Sequence, residues 1–138
     1  MDVRILVVDD DVDVVEIVKL LLMSIEFPGL MEIQTVSGRR AVQEACEFIQ
    51  RREFTAVLTD WEMPCPTTGG IEVITAAMAN GIPINRIAVM SAGPNTRSAI
   101  EEFLIAEKLD VITFFPKPLD CKALRRWVGK FFVLQPAS

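Results

Sequence analysis

"RILVVDDDVDVVEIVKLLLMSI", residues 4–25, carries two periodicities in one stretch. Residues 4–8 read as a strand in which Ile5 to Val8 form an unbroken apolar run, the pattern of a strand buried on both faces. From residue 13 the apolar positions change to helical spacing. Val14, Val18, Leu21, Leu22 and Ile25 fall along one stripe, and Phe27-Pro28-Gly29 is the expected stop. A doubly buried strand feeding an amphipathic helix is half of a βαβ unit. If it recurs, it decides the fold.

It recurs along the whole chain. "MEIQTV" (31–36), "FTAVLT" (54–59), "RIAVM" (86–90) and "VITFF" (111–115) read as further strands. Between them, Ser37 opens a helix that turns Ala41, Val42, Ala45, Phe48 and Ile49 inward. Ile71, Ile74 and Ala77/Met78 mark a third helix that stops around Asn80-Gly81. Asn95 is the expected N-cap of a fourth helix over 96–109, and residues 120–132 form the last. Five apolar strands separated by helices of about a dozen residues predict an α/β domain, a (βα)5 doubly wound parallel sheet covered on both faces. The expected domain spans residues 1–132, with 133–138 as a loose C-terminal tail.

Composition narrows the chemistry. The 138 residues carry a net charge of −5 and are 51% hydrophobic. An acidic balance argues against direct nucleic-acid binding, which rests on Lys and Arg neutralising phosphates. No apolar run is long enough to span a bilayer and no signal peptide is evident, so membrane insertion is not expected and a cytoplasmic location is. Cys46, Cys65 and Cys121 are scattered without metal-type spacing and read as ordinary thiols. There is no histidine, which removes histidine bases, triads and most zinc sites. The remaining chemistry belongs to carboxylates, lysine, hydroxyls and backbone.

In a doubly wound sheet, ligands bind beyond the carboxyl ends of the strands. The polar residues fall on that rim. The first strand runs into Asp9, Asp10 and Asp11, the third into Asp60, the fourth into Ser91, and the fifth into Lys117 between two prolines. Each has an ordinary explanation by itself: Asp60 before Pro64 and Pro66 as a turn former, Asp11 and Asp13 as acids at a helix start, Ser91 as a turn residue, Lys117 as a surface lysine. Their joint placement points further. Two carboxylates about 4 Å apart repel by about 4 kcal/mol at a protein surface, so such a cluster either raises a pKa or takes a hard divalent cation. With only oxygen ligands on offer, Mg²⁺ suits it better than Zn²⁺.

At this point the sequence resembles the receiver domain of two-component response regulators. The matching residues are "ILVVDDD" (5–11), "LTDWEMP" (58–64), "VMSAG" (89–93) and "FFPKPL" (114–119). The resemblance implies the flavodoxin-like strand order 2-1-3-4-5. It makes Asp60 the acceptor of a phosphoryl group from the phosphohistidine of a partner histidine kinase or histidine phosphotransfer protein. Asp10 becomes the direct Mg²⁺ ligand, with Asp9 assisting, Asp60 taking part and the backbone carbonyl of Glu62 completing the protein ligands. Ser91 and Lys117 are implied to engage the phosphoryl oxygens, and the Lys117–Pro118 peptide to be cis. Ser91 and Phe114 are implied to move together and bias the face of helix four, strand five and helix five toward a downstream protein partner or a receiver dimer. On that reading the chain is a signalling switch, catalysing only its own phosphorylation and dephosphorylation, and the missing histidine is the partner's.

The chain departs from the family pattern in several places. "CPTTGG" (65–70) is longer than the usual loop and lacks its Asp. Glu62 adds a carboxylate, expected to affect metal affinity or phosphoryl lifetime. Phe114 lacks the hydroxyl of the tyrosine often found there, and "KLDVITFF" lacks a glycine before the fifth strand, so an irregular turn is expected. Three other readings compete with this one. A haloacid-dehalogenase-type phosphatase would use the Asp-x-Asp-x-Val of residues 11–15, and a calcium loop would use Asp9, Asp11 and Asp13 but has Val14 and Leu20 where Gly and Glu are needed. A receiver-like adaptor would work without phosphorylation. The last helix carries Lys122, Arg125, Arg126 and Lys130 on its polar side, a solvated face or a docking face for an acidic partner or second receiver.

Overall fold

Strands β1 (Val3–Val8), β2 (Met31–Val36), β3 (Ala56–Asp60), β4 (Ile87–Ser91) and β5 (Thr113–Pro116) pair in parallel in the order β2-β1-β3-β4-β5. Helices α1 (Val12–Met23), α2 (Ala41–Arg51), α3 (Gly69–Ala79), α4 (Pro94–Ala106) and α5 (Cys121–Val133) connect and follow them. This is the expected (βα)5 architecture. The computed structural model describes residues 2–63, 69–92, 94–108 and 112–133, with backbone alone at 94–99 and 131–133. Pro64, Cys65 and Pro66, most of the 65–70 loop, Val111 and the tail beyond 133 lie outside the described residues.

Alternation along the strands builds two cores. Ile5, Val7, Leu58 and Met90 point to one face, where Val15, Val18 and Leu22 of α1 meet Leu124, Trp127 and Val128 of α5. Leu6, Val8, Val57 and Val89 point to the other, under α2, α3 and α4 through Ala45, Ile49, Val73, Ile74, Ala77, Ile100 and Leu104. A strand buried on both faces cannot alternate apolar with polar, which is why the continuous runs were legible.

Several boundaries differ from expectation, each for a local reason. Asp60 and Ser91 are the last residues of β3 and β4 rather than the first loop residues, because Asp60 pairs with Met90 and Ser91 with Pro116. Ladder hydrogen bonds use backbone groups, so a polar side chain does not end a strand. α1 stops at Ser24, not at Phe27-Pro28-Gly29: its N–H reaches the Leu20 carbonyl at 3.1 Å and its Oγ donates to the Leu21 carbonyl at 2.6 Å. The α1 stripe centres on Val15, with Val14 half-buried. Ser37 does not open α2. Gly38, at φ 92, turns the chain first, and the helix begins at Ala41. Met78 of α3 is exposed, and Val73 takes the inward place. α4 starts at Pro94, so Asn95 lies inside its first turn rather than at its cap; proline's fixed φ suits that first position.

Residues 109–111 of the turn before β5 lie outside the described residues, but its described start is irregular. Lys108 takes φ 59, the left-handed conformation that glycine adopts freely and a Cβ opposes. Lys108→Gly is therefore expected to stabilise the chain by about 1 kcal/mol. Urea unfolding of the two chains checks it, and an unchanged or lower midpoint contradicts it.

Candidate functional site

The strand order reverses between β1 and β3, and the acids gather at that crevice, as expected for a doubly wound sheet. One carboxylate oxygen from each of Asp9, Asp10 and Asp60 lies within 4.8 Å of the others. Asp9 and Asp60 are buried, while Asp10 is exposed. Lys117 enters from the end of β5 and spans the pair: Nζ is 2.6 Å from Asp9 Oδ2 and 3.2 Å from Asp60 Oδ1. The Lys117–Pro118 peptide is cis. Lys117 N–H also donates to the Ser91 carbonyl at 2.8 Å, and Trp61 N–H to the Met90 carbonyl at 2.9 Å. The strand ends are thus pinned to one another through their backbones.

Asp11 is occupied elsewhere. Its carboxylate accepts from the Asp13 N–H at 2.9 Å and caps α1, while its own N–H donates to Asp9 Oδ1 at 2.9 Å. The nucleophile of the dehalogenase-type reading is therefore a helix cap. Glu62 is exposed and its carboxylate is not among the three that cluster.

Ser91 is buried, and its Oγ has no hydrogen-bond partner among the described residues. A buried hydroxyl left unpaired costs about 1–3 kcal/mol, so an acceptor brought to it is favoured. Phe114 is half-buried against the core under α4.

The electrostatics reflect crowding. Burial raises the Asp60 pKa to about 6, the Asp9 charge adds to the rise, and Lys117 opposes it. Asp10, though exposed, is raised too, first by the partial loss of water around it in the crowded crevice and then by its hydrogen bond with Asp9 and that residue's charge. Burial works against the Lys117 ammonium, but its bond to Asp9 and the charge of Asp60 prevail and hold its pKa above the ordinary value.

Two features of the site escaped the sequence reading. Gly69 and Gly70 are not loop residues but the first turn of α3. A Cβ at Gly70 would come within 2.8 Å of the Asp60 carbonyl oxygen and of Trp61 Cα, and one at Gly69 within 2.7 Å of Val42 Cγ2. The Gly70 N–H donates to the Trp61 carbonyl at 3.1 Å. The helix start is seated directly on the backbone that presents Asp60. The other feature is Trp61, buried and edge-on to Phe103 of α4 at 5.4 Å between centroids. It joins the residue after Asp60 to the fourth helix.

The fold has close counterparts. The chain is similar to a response regulator receiver protein from Sinorhizobium medicae WSM419, with 18% identity, 96% of each chain covered and a TM-score of 0.71. It is similar to a two-component response regulator from Cytophaga hutchinsonii, at 23% identity over 96% of this chain and 98% of that one, TM-score 0.63. A third is the Mn²⁺-bound form of response regulator Rcp1, at 19% identity over 98% and 96%, TM-score 0.58. No family model matches the chain, and no curated protein does. The fold is that of the response regulator receiver domain, with the strand order expected for it.

Two predictions follow from the crowding and the close approach. Asp60 has a folded pKa of about 6 against its ordinary value of 3.8, so its protonated form is favoured by folding. The stability this gives is complete below about pH 4 and is lost as pH rises through about 6. In metal-free buffer Asp60→Asn is expected to flatten that decline and to exceed wild type at pH 7 by roughly 1–2 kcal/mol, allowing for solvent near the site; equal pH slopes in urea unfolding would count against it. Gly70→Ala is expected to cost about 1–3 kcal/mol in the same assay, and no loss would mean that the helix start yields freely.

Proposed function

We propose that the protein is a phosphoacceptor receiver module, in which a partner's phosphohistidine transfers its phosphoryl group to Asp60. The observation that carries this reading is the Asp60 carboxylate, held at the end of β3 beside Asp9 and Asp10 and 3.2 Å from the Lys117 ammonium. Phosphoryl transfer asks for an oxygen nucleophile and for positive charge around the transferred oxygens. The receiver fold supports a signalling role over a metabolic one.

The residues fit a hard divalent cation. Three carboxylates against one ammonium leave an excess of two negative charges, the donors are all oxygen, and one of the three acids faces solvent, where waters complete the shell. Asp9, Asp10 and Asp60 would hold Mg²⁺, with the Glu62 carbonyl as a further ligand. When bound, the ion would offset charge on the phosphoryl oxygens.

The chain's own groups do the rest. A carboxylate oxygen of Asp60 attacks phosphorus. The P–N bond to the partner's imidazole breaks, and its electron pair returns to that nitrogen. Asp60 is ionised for the most part at neutral pH, so no general base is required. Lys117 sits on Asp60 already and exchanges a carboxylate oxygen for a phosphoryl oxygen. The Ser91 hydroxyl, buried and without a hydrogen-bond partner among the described residues, gains an acceptor. Phosphorylation thereby adds charge at the end of β3, beside a Trp61 ring that touches α4 through Phe103 and near Phe114, which can repack without a hydroxyl of its own. A face including α4, β5 and α5 is the expected output, read by a downstream protein.

Incubation with Mg²⁺ and acetyl phosphate, followed by intact mass measurement, tests the proposal. Wild type is expected to gain one phosphoryl group and Asp60→Asn none. Lys117→Ala is expected to slow the gain at least about tenfold, a loss of about 1.4 kcal/mol of transition-state stabilisation, and chelation to prevent it. An Asp60→Asn chain that gains the same mass overturns the proposal, as does a wild type that gains none. The latter result is the one the adaptor reading requires.

A further inference from the structure

Four cations of α5 take no part in the site or in either core. Lys122, Arg125, Arg126 and Lys130 are all exposed, and among the described residues no acid pairs with any of them. Spaced three and four residues apart, they share one face of the helix over about 12 Å. Leu124, Trp127 and Val128, on the other side, are buried with α1 beneath the sheet.

The helix gains nothing from this row. Like charges four residues apart repel, as Lys122 and Arg126 do, and Arg126 and Lys130. Lys122 lies in the first turn, which holds no acid and where the helix dipole disfavours a cation. The carboxylate of Asp120 is spent on the Lys122 backbone N–H, at 3.1 Å. Gly129 breaks a second rule on the same face. Glycine inside a helix is less stable than alanine, and one that neither a turn nor a neighbour requires marks a place of close approach. Its φ is not left-handed, and a Cβ added there would meet no described atom within 4 Å. Gly129 is four residues from Arg125 and three from Arg126, so a notch opens beside both.

We infer that this face of α5 docks an acidic helical segment of a partner protein, with carboxylates on the cations and the partner helix seated at the Gly129 notch. Arginine forks bind carboxylates through two parallel hydrogen bonds, and the distance between packed helices is set by the side chains at their contact. A nucleic-acid strand is a poorer occupant, because it would run off this short row onto a molecule whose net charge is −5. An anionic membrane would find no large apolar residue exposed on α5 among those described. A second copy, turned by a two-fold axis through this face, would set cation on cation. The inference rests on the receiver reading for its role as an output contact. The docking itself needs neither Asp60 nor a bound metal.

Fluorescence anisotropy of a labelled alanine-based helical peptide, with glutamate at every fourth position, reads the docking directly. In chelator and low salt the full chain is expected to bind it saturably with a Kd below about 100 µM, and not to bind the same peptide with glutamine for glutamate. Arg125→Glu combined with Arg126→Glu is expected to weaken binding at least about tenfold. Gly129→Leu keeps all four cations, and with the fold intact by circular dichroism it is expected to weaken binding at least about threefold, an effect that charge alone would not give. No saturable binding, equal affinity of either variant and wild type, or tighter binding of duplex DNA or phosphatidylserine vesicles at the same salt overturns the inference. Phosphoryl gain from acetyl phosphate is expected to be unchanged in both variants, so failure of the docking and failure of the receiver reading are told apart.

Discussion

The site depends on one ammonium group. Lys117 Nζ touches Asp9 at the end of β1 and Asp60 at the end of β3, from a backbone tied to β4 through Ser91. Without it three carboxylates would face one another in a crevice that burial makes poorly screening. With it the excess is cut but not removed. That incomplete neutralisation is the useful state, since it holds the acids in place and leaves them short of positive charge. A fully compensated cluster would have no call on a cation or on new acceptor oxygens.

The scaffold makes this crowding tolerable. Each acid sits where a strand has just ended or is ending, with its backbone already committed to the ladder or to a neighbouring turn. Gly38 N–H on the Asp10 carbonyl, Trp61 N–H on the Met90 carbonyl and Gly70 N–H on the Trp61 carbonyl close the rim. The repulsion is therefore borne by a frame that two cores, one on each face of the sheet, hold rigid. Local strain at such a site survives only when the surroundings over-determine it.

What could be read from sequence follows from the same physics. Doubly buried strands write continuous apolar runs, so all five were visible, and the rim residues Asp9, Asp10, Asp60, Ser91 and Lys117 followed from where those runs end. Asp9, Asp10, Asp60 and Lys117 meet at the rim, and Ser91 ends the strand beside them. The boundaries were less legible. Asp60 and Ser91 read as loop because their side chains are polar, though their backbones are strand. α2 begins without a side-chain cap at Arg40, which leaves no signal in the sequence. Gly69-Gly70 was visible as a doublet, but only the backbone of Asp60 and Trp61 beneath it shows why no Cβ fits. Ile17, Leu20 and Met23 of α1 lie off the buried stripe and are exposed, yet periodicity alone does not say which apolar residues remain in water.

The two indoles divide the molecule between them. The chain holds two tryptophans and no tyrosine. Trp61 packs in the core under α2, α3 and α4, next to the acid rim, while Trp127 packs edge-on to Phe115 on the opposite side of the sheet at 5.9 Å. Ultraviolet emission from this protein therefore comes from two chromophores, one in each layer. Replacing either by phenylalanine leaves a single-probe molecule, so that a disturbance at the rim and a loosening of the α1–α5 layer become separately visible in the same cuvette.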